Sequence, residues 1–148
     1  MRFGGFFTAS VLFFALVAIA GKAQDAAKRP EKESPYAELG KAPEKYRLKQ
    51  NPMTKDAEAP LAGRVLFEEH CAECHGQNAM GTKKAPSLRT PEVQNAADGT
   101  IFWILSNGIV RKGMPVWSKL PEPQRWQLVS YLKTLGSTPP PDQSASRP

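Results

Sequence analysis

One run of five residues, Cys71-Ala72-Glu73-Cys74-His75, limits what this chain can fold into more than any other feature. Two thiols three positions apart, with a histidine directly after the second, form the arrangement that attaches a c-type haem. Each thiol can form a thioether with one of two neighbouring vinyl groups, and the histidine then lies under the iron. The run therefore predicts a covalently bound haem c with His75 as the proximal ligand of its iron.

The same residues have two other interpretations. A structural zinc site needs four closely arranged ligands, and the whole chain has two cysteines and two histidines. His70 and His75 flank the cysteines too tightly for an ordinary closed tetrahedral site. A thioredoxin-like redox dithiol would need a βαβ context, which the sequence does not show. Haem attachment is favoured over both.

Length and composition predict one small domain with polar flanks. The chain has 148 residues, its aromatic and aliphatic residues are concentrated in the second half, and its 14 prolines cluster towards both ends. We expect a domain over residues 55–136, after a Pro/Lys/Glu-rich linker at 24–54 and before a disordered tail at 137–148. The substantial apolar side chains of the linker, which could fold back onto the domain, are Tyr46, Leu48 and Met53.

The N-terminus, residues 1–23, is interpreted as an export signal. Arg2 supplies a positive start, an uncharged run covers 3–21, and small residues near its end offer cleavage sites. The run is close to the ~20 residues of a spanning helix, so an uncleaved membrane anchor is the alternative, although Thr8 and Ser10 weaken it. Bacterial haem attachment takes place outside the cytoplasmic membrane, which agrees with export. We expect a periplasmic protein that touches a membrane only if the leader is retained.

The positive charge of the chain is smaller than it first looks. The formal charge is +6, and it falls to +4 without Arg2 and Lys22 of the leader. No basic stripe is interleaved with aromatic residues, so no nucleic-acid partner is expected. Two basic pairs either form a rim that steers an acidic redox partner or belong to an ordinary solvated face. These pairs are Lys83 with Lys84 and Arg111 with Lys112.

Apolar spacing predicts three main helices. The first begins between residues 58 and 61 and runs into the attachment site, with Gly63 allowing close approach of another helix and Phe67 filling the contact. The second covers residues 98 or 100 to 107 and stops at Gly108. The last opens near residue 121, ends at Gly136 and carries a buried stripe. Phe102 and Trp103 widen the apolar surface of the second helix, where core packing or contact with the haem are both open.

The position opposite the proximal histidine decides what the iron can do. Three methionines lie outside the leader, and one of them, Met80, is only five residues after His75 and too close to cross a porphyrin. Met53 precedes the whole domain. Met114, held in a Gly-Met-Pro run, can cross to the distal face.

Other residues near the predicted haem have two interpretations each. The carbonyl of Pro86 is placed to accept a hydrogen bond from the second nitrogen of His75, unless Pro86 simply turns the chain. Trp117 either shields the haem or packs in the ordinary way. His70 is expected to be a surface histidine.

Residues 57–136 resemble the class I, mitochondrial-type monohaem cytochromes c of the short bacterial kind. The match rests on the attachment run, on Met114 in its Gly-Met-Pro context, and on residues that include Gly63, Phe67, Pro86, Leu88, Leu128 and Tyr131. The resemblance implies an all-α fold of three to four helices around one covalently bound haem c, with His75 and Met114 as iron ligands. One departure is Pro121-Glu122-Pro123, which replaces the usual Ser/Thr/Asp cap and concerns stability.

The resemblance also implies function. We expect a periplasmic one-electron carrier, without catalytic residues of its own, acting as a monomer with redox protein partners such as a dehydrogenase, a cytochrome complex or an oxidase. The alternative is a haem c subunit of a dehydrogenase or terminal oxidase complex, for which residues 24–50 would dock to the partner. A sensing haem protein with a displaced Met114 is a third possibility, against which the Gly-Met-Pro context argues.

Overall fold

The structure, a computed structural model, describes residues 33–137. Its regular secondary structure consists of helices joined by turns and loops. The predicted leader, the linker before residue 33 and the tail after residue 137 lie outside the described residues. Within residues 33–137, pairing of strand type is limited to an isolated antiparallel bridge between Ile109 and Met114. The all-α prediction is confirmed. The helices are α1 (Glu44–Arg47), α2 (Ala59–His70), α3 (Ala72–His75), α4 (Pro91–Gln94), α5 (Asp98–Asn107) and α6 (Glu122–Thr134), with 3₁₀ turns at Ala37–Lys41 and Val110–Lys112.

The three main helices begin where the sequence chemistry predicts, and the second also ends at its predicted residue. Pro60 lies in the first turn of α2, where a missing N–H costs nothing. Gly108 ends α5 with a φ of 65°, a conformation that favours glycine. Pro121 precedes α6 without a side-chain cap, as the departure from the usual cap suggested. The last helix ends at Thr134, two residues before the predicted stop.

The first and last long helices cross at a glycine. A Cβ at Gly63 would lie 2.0 Å from the carbonyl oxygen of Gln127 and 2.9 Å from Cβ of Tyr131, so only glycine allows this approach. Beside it, the rings of Phe67 and Tyr131 are 5.3 Å apart. The predicted contact between α2 and α6 is therefore present. It packs α2, the helix that leads into the attachment run, against α6, the C-terminal helix of the domain.

The helix α5 contributes buried side chains to the core and lines the cavity beside the attachment run. Ile101, Phe102 and Leu105 on this helix are buried, together with Leu128 and Leu132 of α6. The Phe102 ring stacks on Trp126 with centroids 4.1 Å apart, in agreement with the core-packing interpretation of that residue.

The described part of the predicted linker, residues 33–54, differs from the expectation because it packs onto the domain. Tyr46 and Met53 contact the core as predicted, whereas Leu48 is 75% exposed. Asn51 is buried, and its Nδ2 donates to the Trp126 carbonyl at 3.3 Å and to Ser130 Oγ at 2.8 Å. This segment is thus attached to the helical core by a few side chains, namely Tyr46, Asn51 and Met53.

Between residues 33 and 137, none of the helices has the length and apolar character needed to span a bilayer.

Candidate haem site

A cavity of about 450 Å³ lies among α2, α3, α5 and α6. Cofactor sites are typically ~300–1,000 Å³ and mostly apolar. Phe67 lines the cavity from α2, Ile101 and Leu105 from α5, and Leu128 and Leu132 from α6. All five predicted site residues line it too, namely Cys71, Cys74, His75, Pro86 and Met114. An apolar chamber that presents two thiols and an imidazole fits a covalently attached porphyrin.

The attachment run forms its own helical turn. The N–H of Cys71 donates to the Phe67 carbonyl at 2.8 Å as α2 ends, and the N–H of His75 donates to the Cys71 carbonyl at 2.9 Å within the next turn. Residues three and four apart share a face of a helix. Cys71, Cys74 and His75 are consequently presented together to one cavity.

The imidazole of His75 is oriented by a hydrogen bond. Its Nδ1 lies 2.9 Å from the Pro86 carbonyl oxygen, as predicted. A carbonyl can only accept, so Nδ1 carries the proton and Nε2 is left with a lone pair for iron. Burial lowers the pKa of His75, against the opposing effect of the Pro86 hydrogen bond. Both the tautomer and the neutral state are those that a metal-ligating histidine needs.

Burial also sets the state of the Cys71 thiol. Desolvation, with a smaller effect of Cys74, raises the pKa of Cys71 to about 11. A raised pKa means that this position disfavours a charged thiolate. A thioether carries no ionisable group, so the attached form suits this apolar position better than a thiolate would.

A short loop carries Met114 to the cavity. Ile109 and Met114 exchange two backbone hydrogen bonds, of 3.0 and 3.2 Å, which close the loop around the Val110–Lys112 turn. The N–H of Trp117 then donates to the Leu105 carbonyl at 3.0 Å, which fixes the chain after Met114 to α5. Of the other two methionines, Met80 is 43% exposed and Met53 packs against the core.

Several residues at the cavity were missed from the sequence. Tyr36 and Leu39 line it, although they lie in the segment predicted as a linker. Their spacing of three, as isolated apolar residues in a polar run, was the available signal. His70 also lines the cavity, and its ring packs 5.2 Å from that of Trp117, so it is only 24% exposed rather than a free surface residue.

The cations near the cavity are engaged with carboxylates. Lys84 Nζ lies 2.7 Å from Glu73, and Lys112 Nζ lies 3.2 Å from Glu33. Lys84 lowers the pKa of Glu73, and Lys112 does the same for Glu33. Half of the predicted basic rim is thus neutralised by paired carboxylates, which weakens the idea of a steering surface made by these residues.

The helical fold, the paired thiols and the oriented imidazole together define a c-type cytochrome domain. The family model described as "Cytochrome C oxidase, cbb3-type, subunit III" matches residues 58–132, and the chain belongs to this family. The predicted family and the predicted haem c cofactor are confirmed.

Two curated relatives are each named "Cbb3-type cytochrome c oxidase subunit CcoP". The relative from Azospirillum brasilense is 36% identical over 100 residues, covering 62% of this chain and 33% of the relative. The relative from Azospirillum sp. (strain B510) is 33% identical over 101 residues, with the same coverage of both chains. The chain therefore spans about a third of the length of these relatives.

A solved structure is similar in fold. It is cytochrome cL from the marine methylotrophic bacterium Methylophaga aminisulfidivorans, matched with a TM-score of 0.50 and 24% identity over 67% of this chain and 72% of that one. At this identity the likeness shows the fold alone, which is that of a cytochrome c.

Proposed function

We propose that this chain is a one-electron carrier that serves as a haem c subunit of a terminal oxidase complex, with His75 and Met114 as the ligands of a single haem iron. The observation that carries the proposal is that both side chains line one cavity together with Cys71 and Cys74. The family of the chain favours the oxidase subunit over a free carrier.

The chemistry of the two ligands suits reversible electron transfer. When bound, haem iron supplies a one-electron couple between the ferrous and ferric states. The thioether of Met114 is a soft donor that favours the ferrous state. Apolar walls such as Ile101 and Leu128 disfavour the additional positive charge of the ferric state, because little solvent screens it there. Both effects raise the reduction potential.

Fixed ligand geometry keeps the reorganisation energy of electron transfer low. The hydrogen bond to Pro86 prevents rotation of the His75 ring, and the backbone bonds to Ile109 hold the loop of Met114. Ligands that move little between two oxidation states leave little reorganisation to be overcome. This is the behaviour required of a carrier that turns over no substrate of its own.

The proposed location is the outer side of the cytoplasmic membrane, where c-type haem is attached. Residues 1–23 would serve as the export signal or, if retained, as the anchor to the membrane that houses the oxidase. Mass spectrometry of the mature N-terminus separates the two forms. Residues 55–136 would act as a monomeric carrier domain within the complex.

Ligation is tested by spectroscopy on the haem-loaded protein. The ferric charge-transfer band of a methionine-ligated c-haem should be present, and the ferrous form should not take up carbon monoxide. In Met114→Ala the band should disappear and carbon monoxide should bind. Ready carbon monoxide uptake by the unmodified protein, without the band, would mean an open iron, and sensing or catalysis would replace the carrier function.

The oxidase partner is tested with membranes that contain a cbb3-type oxidase but lack this chain. Adding the reduced protein should restore oxygen consumption, and the Met114→Ala variant should restore less at the same haem content. If the membranes do not oxidise the protein while a dehydrogenase reduces it rapidly, the oxidase assignment is wrong and the free carrier is favoured.

A further inference from the structure

One wall of the haem cavity comes from outside the family domain. Residues 33–41, here called the strap, place Tyr36 and Leu39 in the cavity lining, where both also pack against the core. The family match begins only at residue 58. The cytochrome domain of this chain is thus completed by a segment that the family pattern does not include.

The strap contacts the loop on the proximal side of the cavity. The Tyr36 hydroxyl donates a hydrogen bond to the Ser87 carbonyl at 3.0 Å. Ser87 directly follows Pro86, whose carbonyl accepts the hydrogen bond from His75. The strap is therefore one residue away from the group that orients the proximal ligand.

The strap also contacts the loop on the distal side. Lys112, two residues before Met114, lies 3.2 Å from Glu33 and 3.9 Å from Glu38. Lys41 lies 2.7 Å from Glu38 and 3.5 Å from Glu33. Two carboxylates and two ammonium groups thus alternate in one cluster that joins the strap to the Met114 loop.

The parts of this contact differ in strength. Ion pairs at exposed positions contribute little individually and are screened by salt. The partly buried apolar contacts of Tyr36 and Leu39 are not screened in this way, because apolar burial does not depend on charge. Salt should therefore loosen the distal end of the strap while the apolar contact persists.

We propose that the strap is a clasp on the haem site, which covers one edge of the cavity and limits the replacement of Met114 by ligands from outside. The inference rests on the proposed His75/Met114 ligation. Lifting the strap would loosen the distal loop, while His75 stays fixed by its own helical turn and by its covalently attached neighbours.

The test follows imidazole binding to the ferric holoprotein, where an imidazole nitrogen binds iron as the Met114 sulfur leaves. The rate is read from the loss of the methionine charge-transfer band at a pH where imidazole is neutral. Glu33→Gln/Glu38→Gln should bind imidazole about fivefold faster. Tyr36→Ala/Leu39→Ala, which removes a hydrogen bond and apolar burial, should bind it roughly tenfold faster or more.

The matched control removes an ion pair elsewhere. Arg64 and Glu68 form an exposed pair at 2.8 Å on α2, so Glu68→Gln should leave the imidazole rate unchanged. Raising the salt from about 0.01 M to about 1 M should accelerate imidazole binding in the unmodified protein. The same change should not accelerate imidazole binding in Glu33→Gln/Glu38→Gln, because that variant has no ion pair left between the strap and Lys112 for salt to screen.

Failure of the clasp and failure of the ligation give different results. If the unmodified protein shows the methionine band but both strap variants bind imidazole at its rate, the clasp is overturned and the ligation stands. If the unmodified protein lacks the band and binds carbon monoxide at once, the ligation fails and the clasp fails with it.

Discussion

The proximal wall of the haem pocket is a helical turn, whereas the distal wall is a loop. His75 is held by a helical backbone bond to Cys71, by the hydrogen bond of its ring to Pro86 and by two attachment cysteines in the same turn. Met114 is held by a loop that two backbone bonds to Ile109 close. Under the proposed ligation the difference would separate two tasks, because the helical side would retain the cofactor and the loop side would control access to the iron.

The comparison predicts the largest effect for His75→Ala. Removing the imidazole takes away the proposed proximal iron bond, so that only Cys71 and Cys74 are left to position the porphyrin while the thioethers form. Covalent haem per polypeptide, measured by a pyridine haemochrome assay, should fall to a small fraction of that of the unmodified protein. Normal haem content would show that the proximal wall does not depend on this ligand.

Met114→Ala should reduce the covalent haem content less than His75→Ala does, and it should clearly change the reduction potential of the haem. The haem should stay attached, because the distal wall does not hold it. Loss of the soft sulfur donor should lower the reduction potential, measured by redox titration. Loss of haem in this variant, as in His75→Ala, would remove the distinction between the two walls.

Gly108→Ala should weaken the distal wall alone. Gly108 has a φ of 65°, and a Cβ there would lie 2.6 Å from the Pro115 carbonyl oxygen, in the loop that carries Met114. Backbone strain of this kind costs about 1–3 kcal/mol. The methionine band should weaken while haem content is kept.

The control for this variant is Val65→Ala, since the Val65 side chain is 61% exposed on α2 and does not line the cavity. It should leave the band unchanged. A full-strength band in Gly108→Ala would mean that the loop can shift without releasing the sulfur.

Pro86→Ala should have the smallest effect, because the group that accepts the His75 hydrogen bond is a backbone carbonyl. Alanine keeps that carbonyl, and the loss of proline rigidity costs about 0.4–1 kcal/mol through the unfolded chain. The reduction potential should stay the same while the free energy of unfolding in denaturant falls slightly. A large shift of the potential would show that the ring itself, rather than its carbonyl, orients His75.

The helices, and the grouping of the predicted site residues around one cavity, were predictable because their signals are local. The attachment run fixes three site residues by its own spacing, and the recurrence of Gly63 and Phe67 marks a helix face without knowledge of the partner. Met114 was predicted as the distal residue by elimination among three methionines and from its Gly-Met-Pro context, and that role remains a proposal. All of these residues line the cavity or contact the predicted helix.

The packing of the strap and of the following segment with Asn51 was not predictable, because the contacts lie far away along the chain. Tyr36 bonds to a carbonyl 51 positions later, and Asn51 is buried against Trp126 and Ser130, 75 and 79 positions away. A composition rich in Lys, Glu and Pro indicates a linker, and the spacing of Tyr36 and Leu39 within it does not identify the surface against which they pack. The net charge of the sequence likewise does not predict that Lys112 pairs with Glu33.

The crossing of α2 and α6 has a consequence for mutational scanning. Gly63 meets the backbone of Gln127, not its side chain, at a distance that leaves no room for even one methyl group. A scan of every substitution should find position 63 intolerant and position 127 permissive, although the two residues form one contact. Among relatives, position 63 would then be invariant while position 127 varies. A method that looks for covarying pairs would therefore not detect this contact between the two helices.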